Sequence, residues 1–358
     1  MKPYFFIFLF LFASSLNAQF VYYDASAFPL LGKISTQTET LYERLPESLK
    51  NVTRGPVWDL GKNTAGLAVR FSSNSSQIAA KWELYMDRSM DHMAFTGIKG
   101  LDLYCWEGGK WIFVNTARPE TAGKKQEALI ISNMEIKDRE YMLYLPLYDG
   151  VISLKIGIDS TCVIEQPKKN IPNTLKPVVC YGTSILQGGC ASRPGMAHSN
   201  ILSRRFNREF INLGFSGNGQ LDYEIAEIIS DKHNAGLIIL DFMPNVDVLQ
   251  IQEKMEKFYY IIRHKLPDVP IIFIENPIFP HGKFDINMQT TVEEKNKALH
   301  AAFKNLESKG EKNILLISSE KMIGNDGEAT VDGIHFTDLG FMRYADYLYP
   351  YLEKFLGE

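Results

Sequence analysis

Residues 177–184 read Pro177-Val178-Val179-Cys180-Tyr181-Gly182-Thr183-Ser184. A short apolar run from Val178 to Tyr181 ends on a Gly-Thr-Ser turn, the pattern of a buried strand handing over to a helix. Similar runs follow at Phe210 to Leu213, Leu237 to Phe242, Ile271 to Glu275 and Ile314 to Ile317. Amphipathic stretches lie between and after them. Ile251, Met255, Phe258, Ile262 and Leu266 share one helical face, and Leu339, Met342, Ala345, Leu348, Leu352 and Phe355 keep the same period. Alternating β and α elements predict a parallel sheet with helices on both faces. Ligands of such sheets bind at the carboxyl ends of the strands.

Upstream the texture differs. Runs at Leu67 to Phe71, Gln77 to Leu84, Gly100 to Glu107, Lys110 to Val114, Glu140 to Leu145 and Ile152 to Ile158 alternate or are β-branched, with Gly, Asn, Asp and Ser clusters between them. Short strands without a helical period predict an antiparallel, jelly-roll-like sandwich over 19–165. Residues 166–176, with Pro167, Pro172 and three lysines, read as a linker to an α/β domain at 177–358. Residues 1–18 read as a secretory signal: Lys2, an apolar run from Tyr4 to Ala13 too short to span a bilayer comfortably, and small residues before a cut after Ala18. The expected location is secreted or periplasmic, with no stable membrane insertion after cleavage.

Composition narrows the classes. The 358 residues carry 38 Lys+Arg against 42 Asp+Glu, a formal charge of −4, and 45% are hydrophobic. That excludes a disordered chain and gives no basic footprint for nucleic acid. Four cysteines (Cys105, Cys162, Cys180, Cys190) are too sparse for a disulfide scaffold and show no metal-ligand spacing. Neither a disulfide nor an oligomeric state follows from the sequence.

Three features fall at the predicted strand ends. Ser184 on a strand-to-helix turn can attack a carbonyl while its own N–H holds the oxyanion, although Gly-Thr-Ser is also an ordinary helix cap. Asp332 and His335 are three residues apart before the last helix. One turn can make them a base and its orienting carboxylate, or a capping Asp and a solvent-facing His. The loops Asn212-Leu213-Gly214-Phe215-Ser216-Gly217-Asn218-Gly219 and Asp241-Phe242-Met243-Pro244-Asn245 can add oxyanion donors from Gly217 and Asn245, or serve as tight turns. The glycine loop lacks the Lys of a phosphate-binding Walker loop.

In this order the blocks resemble the SGNH (GDSL-type) serine hydrolases: Gly182-Thr183-Ser184, Ser216-Gly217-Asn218, Asn245, and Asp332 to His335. Thr183 stands where the family often has Asp, and Met243-Pro244-Asn245-Val246 departs from its Gly-x-Asn-Asp block. Gly100-Leu101-Asp102-Leu103-Tyr104 is similar to the Gly-x-Asp-Leu-Tyr signature of a β-domain that precedes such hydrolases in secreted bacterial proteins. The stretch Gly188 to Ala197 is similar to the segment after the serine in that subgroup. The resemblance implies a flavodoxin-like hydrolase domain after the β-sandwich. It implies Ser184 as nucleophile, His335 as base then acid, Asp332 as orienting carboxylate, and Ser184, Gly217 and Asn245 as the oxyanion hole. No metal or organic cofactor is implied. The expected activity is a serine esterase deacetylating an acylated carbohydrate. A lipase or phospholipase and a non-catalytic glycan-binding protein are the alternatives.

Arg193 and His281 are candidate substrate-binding residues, or else a surface ion-pair partner and a solvent-facing loop histidine. His198 falls either near the site or in the core. Asp241 and Glu275 end strands and are candidates to support the site. Trp58, Trp82, Trp106 and Trp111 form either a carbohydrate-stacking surface or core packing. Asp102 and Tyr104 are candidates for an interface with the α/β domain.

Overall fold

A computed structural model describes residues 19–168 and 175–357. The expected signal segment 1–18 and the middle of the expected linker lie outside the described residues.

The first half carries strands β1 (Phe20–Asp24), β2 (Leu30–Leu31), β3 (Ala68–Ser73), β4 (Ile78–Leu84), β5 (Leu101–Glu107), β6 (Lys110–Ala117), β7 (Lys125–Ile131), β8 (Arg139–Tyr144), β9 (Val151–Asp159) and β10 (Ile164–Glu165). They form two antiparallel sheets, β1-β9-β4-β7 and β10-β3-β8-β5-β6, with β2 on the edge of β3. Alternation along each strand sends one set of side chains inward. Ile78, Ala80, Trp82, Leu154, Ile156 and Ile158 of the first sheet meet Val69, Phe71, Leu101, Leu103, Tyr141 and Leu143 of the second. Two short helices, α1 (Gly55–Gly61) and α2 (Phe95–Lys99), interrupt the strands. They span fewer than two turns each, too short for a helical period to be read.

The second half carries β11 (Val178–Gly182), β12 (Phe210–Gly214), β13 (Leu237–Asp241), β14 (Ile271–Ile274) and β15 (Ile314–Ile317), parallel throughout in the order β12-β11-β13-β14-β15. Helices α3 (Ser184–Gln187), α4 (His198–Arg205), α5 (Tyr223–Ser230), α6 (Val248–Lys265), α7 (Ile286–Ser308) and α8 (Asp338–Leu356) complete it. Both faces of the sheet are covered, as the continuous apolar runs require. Val179, Tyr181, Ile238, Leu240 and Phe273 pack with α5 and α6, while Val178, Cys180, Ile239, Ile272 and Ile274 pack with α4 and α8. The chain order reverses at β11, so the switch point lies between β11 and β13.

Packing crosses the boundary expected at 166–176. Ile34, Leu45, Leu49, Val57 and Leu60 belong to the core on the α5–α6 side of the parallel sheet. Met93, Ile98, Leu147 and Tyr148 belong to the core on the α4–α8 side. The outer face of β5 and β8, with Tyr104 and Tyr144, lies against the segment after Ser184: Arg204 stacks on Tyr104, and Tyr144 Oη donates to the Asn200 carbonyl at 3.3 Å.

The polar centre of this junction is Arg44. Its guanidinium is fully buried, donating to the carbonyls of Leu60 and Asn63 at 2.7 and 2.8 Å and, across the junction, to those of Asn212 and Gly214 at 3.0 and 2.8 Å. The planar fork matches these spread acceptors, which a point charge on a flexible stem does not.

The four tryptophans do not form one stacking surface. Trp82 is core, with Nε1 donating to the Lys99 carbonyl. Trp58 lies under Lys62. Trp106 and Trp111 make an edge-to-face pair, and Trp111 also covers Arg70. The four cysteines are free thiols and all are buried.

Arg44→Leu removes the guanidinium from four buried carbonyls and should lower unfolding stability by more than about 3 kcal/mol, read from urea denaturation. Arg44→Lys should recover less than half of that loss. A lysine variant as stable as the parent would show that charge alone, not the fork, holds the junction.

Candidate active site

The site is built at the carboxyl end of β11. Gly182 closes the strand, and a Cβ there would strike the Asp241 carbonyl at 2.5 Å. Thr183 caps α3, its Oγ1 accepting from Ile185 N. Ser184 is the first helical residue, and its N–H donates to no acceptor among the described residues. Its carbonyl is held by Gly188 N at 3.0 Å, Gly189 N at 2.8 Å and Tyr148 Oη at 3.2 Å. Tyr148 follows β8 in the first half, so the serine turn is braced from across the junction.

His335 arrives from the turn before α8. Asp332 Oδ1 accepts from the backbone N–H groups of Ile334 and His335 at 3.0 and 2.8 Å, and Oδ2 meets His335 Nδ1 at 2.7 Å. Gly333 permits the turn with φ +91°. The other ring nitrogen, Nε2, lies 2.9 Å from Ser184 Oγ. Room for the ring depends on Gly189, where a Cβ would stand 3.1 Å from His335 Cδ2 and 2.8 Å from Tyr148 Oη. Burial opposes ionisation of Asp332, yet the His335 side chain and the two backbone N–H groups prevail and hold its carboxyl down at about 2. An ionised Asp332 fixes the proton on Nδ1 and leaves Nε2 as an acceptor for the Ser184 hydroxyl.

The glycine loop runs alongside. Gly219 N donates to Asn245 Oδ1 at 3.2 Å, and the Asn245 amide nitrogen has no acceptor among the described residues. Gly217 is exposed at φ +67°, and its N–H is likewise unengaged among the described residues. The loop is anchored by Arg54, which donates to Asn218 Oδ1 at 2.9 Å and the Asn218 carbonyl at 3.0 Å while paired with Asp222. Ser216 N is taken by Gln187 Oε1 at 2.9 Å. Ser184, His335 and Asp332 are therefore joined in one hydrogen-bonded chain, with free donors at Ser184 N, Gly217 N and the Asn245 amide.

Residues 175–353 match the family model described as "GDSL-like Lipase/Acylhydrolase family", and residues 20–164 match that described as "N-terminus of Esterase_SGNH_hydro-type". A solved GDSL-like lipase from Bacteroides ovatus is 37% identical, with 94% of this chain and 98% of that one covered at a TM-score of 0.89. The chain belongs to the GDSL-like lipase/acylhydrolase family. It is an ester hydrolase of SGNH type. At 16% identity and TM-score 0.75, a salicylyl-acyltransferase from a tetracycline biosynthetic pathway shares the fold over 94% of this chain and 97% of its own. So does an acetyl xylan esterase from Butyrivibrio proteoclasticus, at 13% identity and TM-score 0.57, with 94% and 99% covered. No curated protein matches the chain. Among the described residues no helix is long and apolar enough to cross a membrane.

Other candidates of this GDSL-like chain find different places. The Arg193 guanidinium takes the ion-pair place: it donates to Asp102 Oδ2 and Tyr104 Oη, both at 2.7 Å, and lies 3.8 Å from the Phe113 ring centre. Asp102 is fully buried and also accepts from Gly195 N at 2.8 Å and Thr116 Oγ1 at 2.7 Å. The Asp and Tyr of the Gly-x-Asp-Leu-Tyr stretch thus clamp the segment after Ser184. His281 rests against the Gly333 turn, since a Cβ on Gly333 would lie 2.8 Å from its Nδ1. His198 is core, stacked on Phe341 and edge-to-face with Tyr344, and burial pulls it down to about 3. Burial pushes the Asp241 carboxyl up to about 7, although Tyr344 Oη donates to it at 3.0 Å. Glu275 accepts from Ser319 and His300. Neither carboxylate touches Ser184 or His335.

Sequence reasoning missed His92. Its ring stands 5.6 Å from that of His335, with Nδ1 on Asp91 at 2.8 Å. It also missed Arg44, Arg54 and Tyr148.

The Asp332 carboxyl should titrate near pH 2, below its ordinary 3.8, in carboxyl-carbon NMR. Because the folded value is depressed, the stability it contributes is present above 3.8 and lost as pH falls through about 2. A midpoint at or above 3.8 would mean that its bonds to His335 do not persist in solution.

Proposed function

We propose that the protein is a secreted serine esterase that removes small acyl groups, acetyl above all, from an acylated carbohydrate. The observation that carries the reading is the chain from Ser184 Oγ through His335 to Asp332, at 2.9 and 2.7 Å. In the proposed reaction His335 Nε2 takes the Ser184 proton as Oγ adds to the ester carbonyl. The developing oxyanion is held by the N–H groups of Ser184 and Gly217 and by the Asn245 amide. His335 then protonates the departing alcohol, leaving an acyl-serine. Water, deprotonated by the same imidazole, attacks that ester and restores Ser184.

The carbohydrate assignment is supported by the acetyl xylan esterase of the same architecture. Export is supported by the Lys2 and Tyr4 to Ala13 pattern. A second reading, a lipase taking longer acyl chains, is favoured by exposed Ile278, Phe284 and Ile286 on either side of His281 in sequence.

Hydrolysis of p-nitrophenyl esters from acetate to octanoate tests both. Acetate should be cleaved fastest, and Ser184→Ala should lower kcat by at least about a thousandfold. Fastest cleavage of octanoate would favour the lipase, and unaltered turnover by the alanine variant would remove Ser184 as nucleophile. Asn245→Ala should lower kcat by about a hundredfold with little change in KM, the mark of a donor used in the transition state.

A further inference from the structure

His92, Cys190 and His335 come from three distant parts of the chain. One ligand atom from each lies within 4.8 Å of the other two. His92 sits in the irregular stretch before α2, Cys190 three residues beyond α3, and His335 in the turn before α8. From this cluster we infer a binding site for a thiophilic divalent cation, of which Zn²⁺ is the type, that reversibly silences the esterase by occupying the His335 nitrogen facing Ser184. The inhibitory part of this inference rests on His335 being the base proposed above.

Three observations support the chemistry. The donor set, two imidazoles and one thiol, is the borderline-soft set that Zn²⁺ prefers and that Mg²⁺ and Ca²⁺ do not. Zinc bonds of about 2.0–2.3 Å place tetrahedral ligands about 3.5 Å apart, so side-chain rotations of about an ångström close the present cluster. Both imidazoles already carry the carboxylate partner that zinc-bound histidines keep. Asp91 holds Nδ1 of His92 at 2.8 Å and Asp332 holds Nδ1 of His335 at 2.7 Å, leaving each Nε2 to bind. A carboxylate on the far nitrogen fixes the tautomer and raises the basicity of the bound one.

Binding is balanced without a further reactant. Cys190 releases its thiol proton to solvent and ligates as thiolate, both imidazoles ligate neutral, and water fills the fourth position. His335 Nε2 then cannot accept the Ser184 proton. Mg²⁺ should leave the rate unchanged, and a chelator should restore it.

The test separates binding from turnover. Co²⁺ is titrated into the mature protein and into Ser184→Ala, and the near-ultraviolet thiolate-to-cobalt absorption is followed. One Co²⁺ per chain should give that band in both proteins, and Cys190→Ser should abolish it. Zn²⁺ should inhibit p-nitrophenyl acetate hydrolysis. With each protein scaled to its own metal-free rate, His92→Ala should raise the half-inhibitory Zn²⁺ concentration at least about tenfold, since even outer partners of a metal ligand are worth that much. Absence of a saturable band, or a band that survives Cys190→Ser, would overturn the site. Equal inhibition of His92→Ala and parent, or activation by Zn²⁺, would overturn the inhibition. If the parent has no esterase activity, the inhibitory role falls with that reading, while the cobalt titration still decides the site.

Discussion

The buried guanidinium of Arg44 has no carboxylate partner among the described residues. Its charge is satisfied by backbone carbonyls, two from the turn around α1 and two from the end of β12. Removing such a charge from water costs several kcal/mol, which only a complete set of acceptors offsets. The acceptors are complete only when both halves are docked. Phe215, the next residue along, lies 5.1 Å from the same guanidinium and leads into the glycine loop. The position of that loop is thus set by an interaction that neither half makes alone.

The rest of the site follows this logic. Arg54 fixes Asn218, Tyr148 fixes the Ser184 carbonyl, and Asp102 with Arg193 fixes the chain after Ser184. Ser192 joins that chain to Asp338 at the start of α8, three residues beyond His335, through a 2.9 Å bond from its N–H. The parallel sheet supplies the strand ends after which Ser184, the glycine loop and Asn245 stand. The β-sandwich supplies the supports that keep those loops in register. Preorganisation of this kind lets donors face developing charge without reorganising during reaction.

How much of this could be read from the sequence depended on the distance over which each signal acts. The five parallel strands were legible to within a residue because burial on both faces leaves short, purely apolar runs. Strand β7 was not, because buried Gln126 breaks its alternation, and β1 has no fully buried side to betray it. Asp332 and His335 were legible because one turn spans them, and Ser184 because a strand-to-turn junction marks it. His92 carries no local pattern, and its proximity to His335 exists only in three dimensions. Arg44 and Arg54 act across 168 and 164 residues of chain, and no periodicity records such a bond. Arg193 was left between two readings for the same reason. Its neighbour in sequence is the Ser184 segment, but its partner is Asp102, 91 residues earlier.

The long reach of Arg44 also governs the order in which the molecule can assemble. Synthesis delivers residues 19–165 first, with Ile34, Leu45, Val57 and Leu60 lacking the sheet they cover and Arg44 lacking half its acceptors. The nascent sandwich therefore carries an unfinished apolar surface with a cation at its centre. A loop of some 170 residues must close before that surface is covered, and closure on this scale belongs to slow folding steps. The β half behaves less as a module added to a hydrolase than as one side of a mould that sets only when the other is poured.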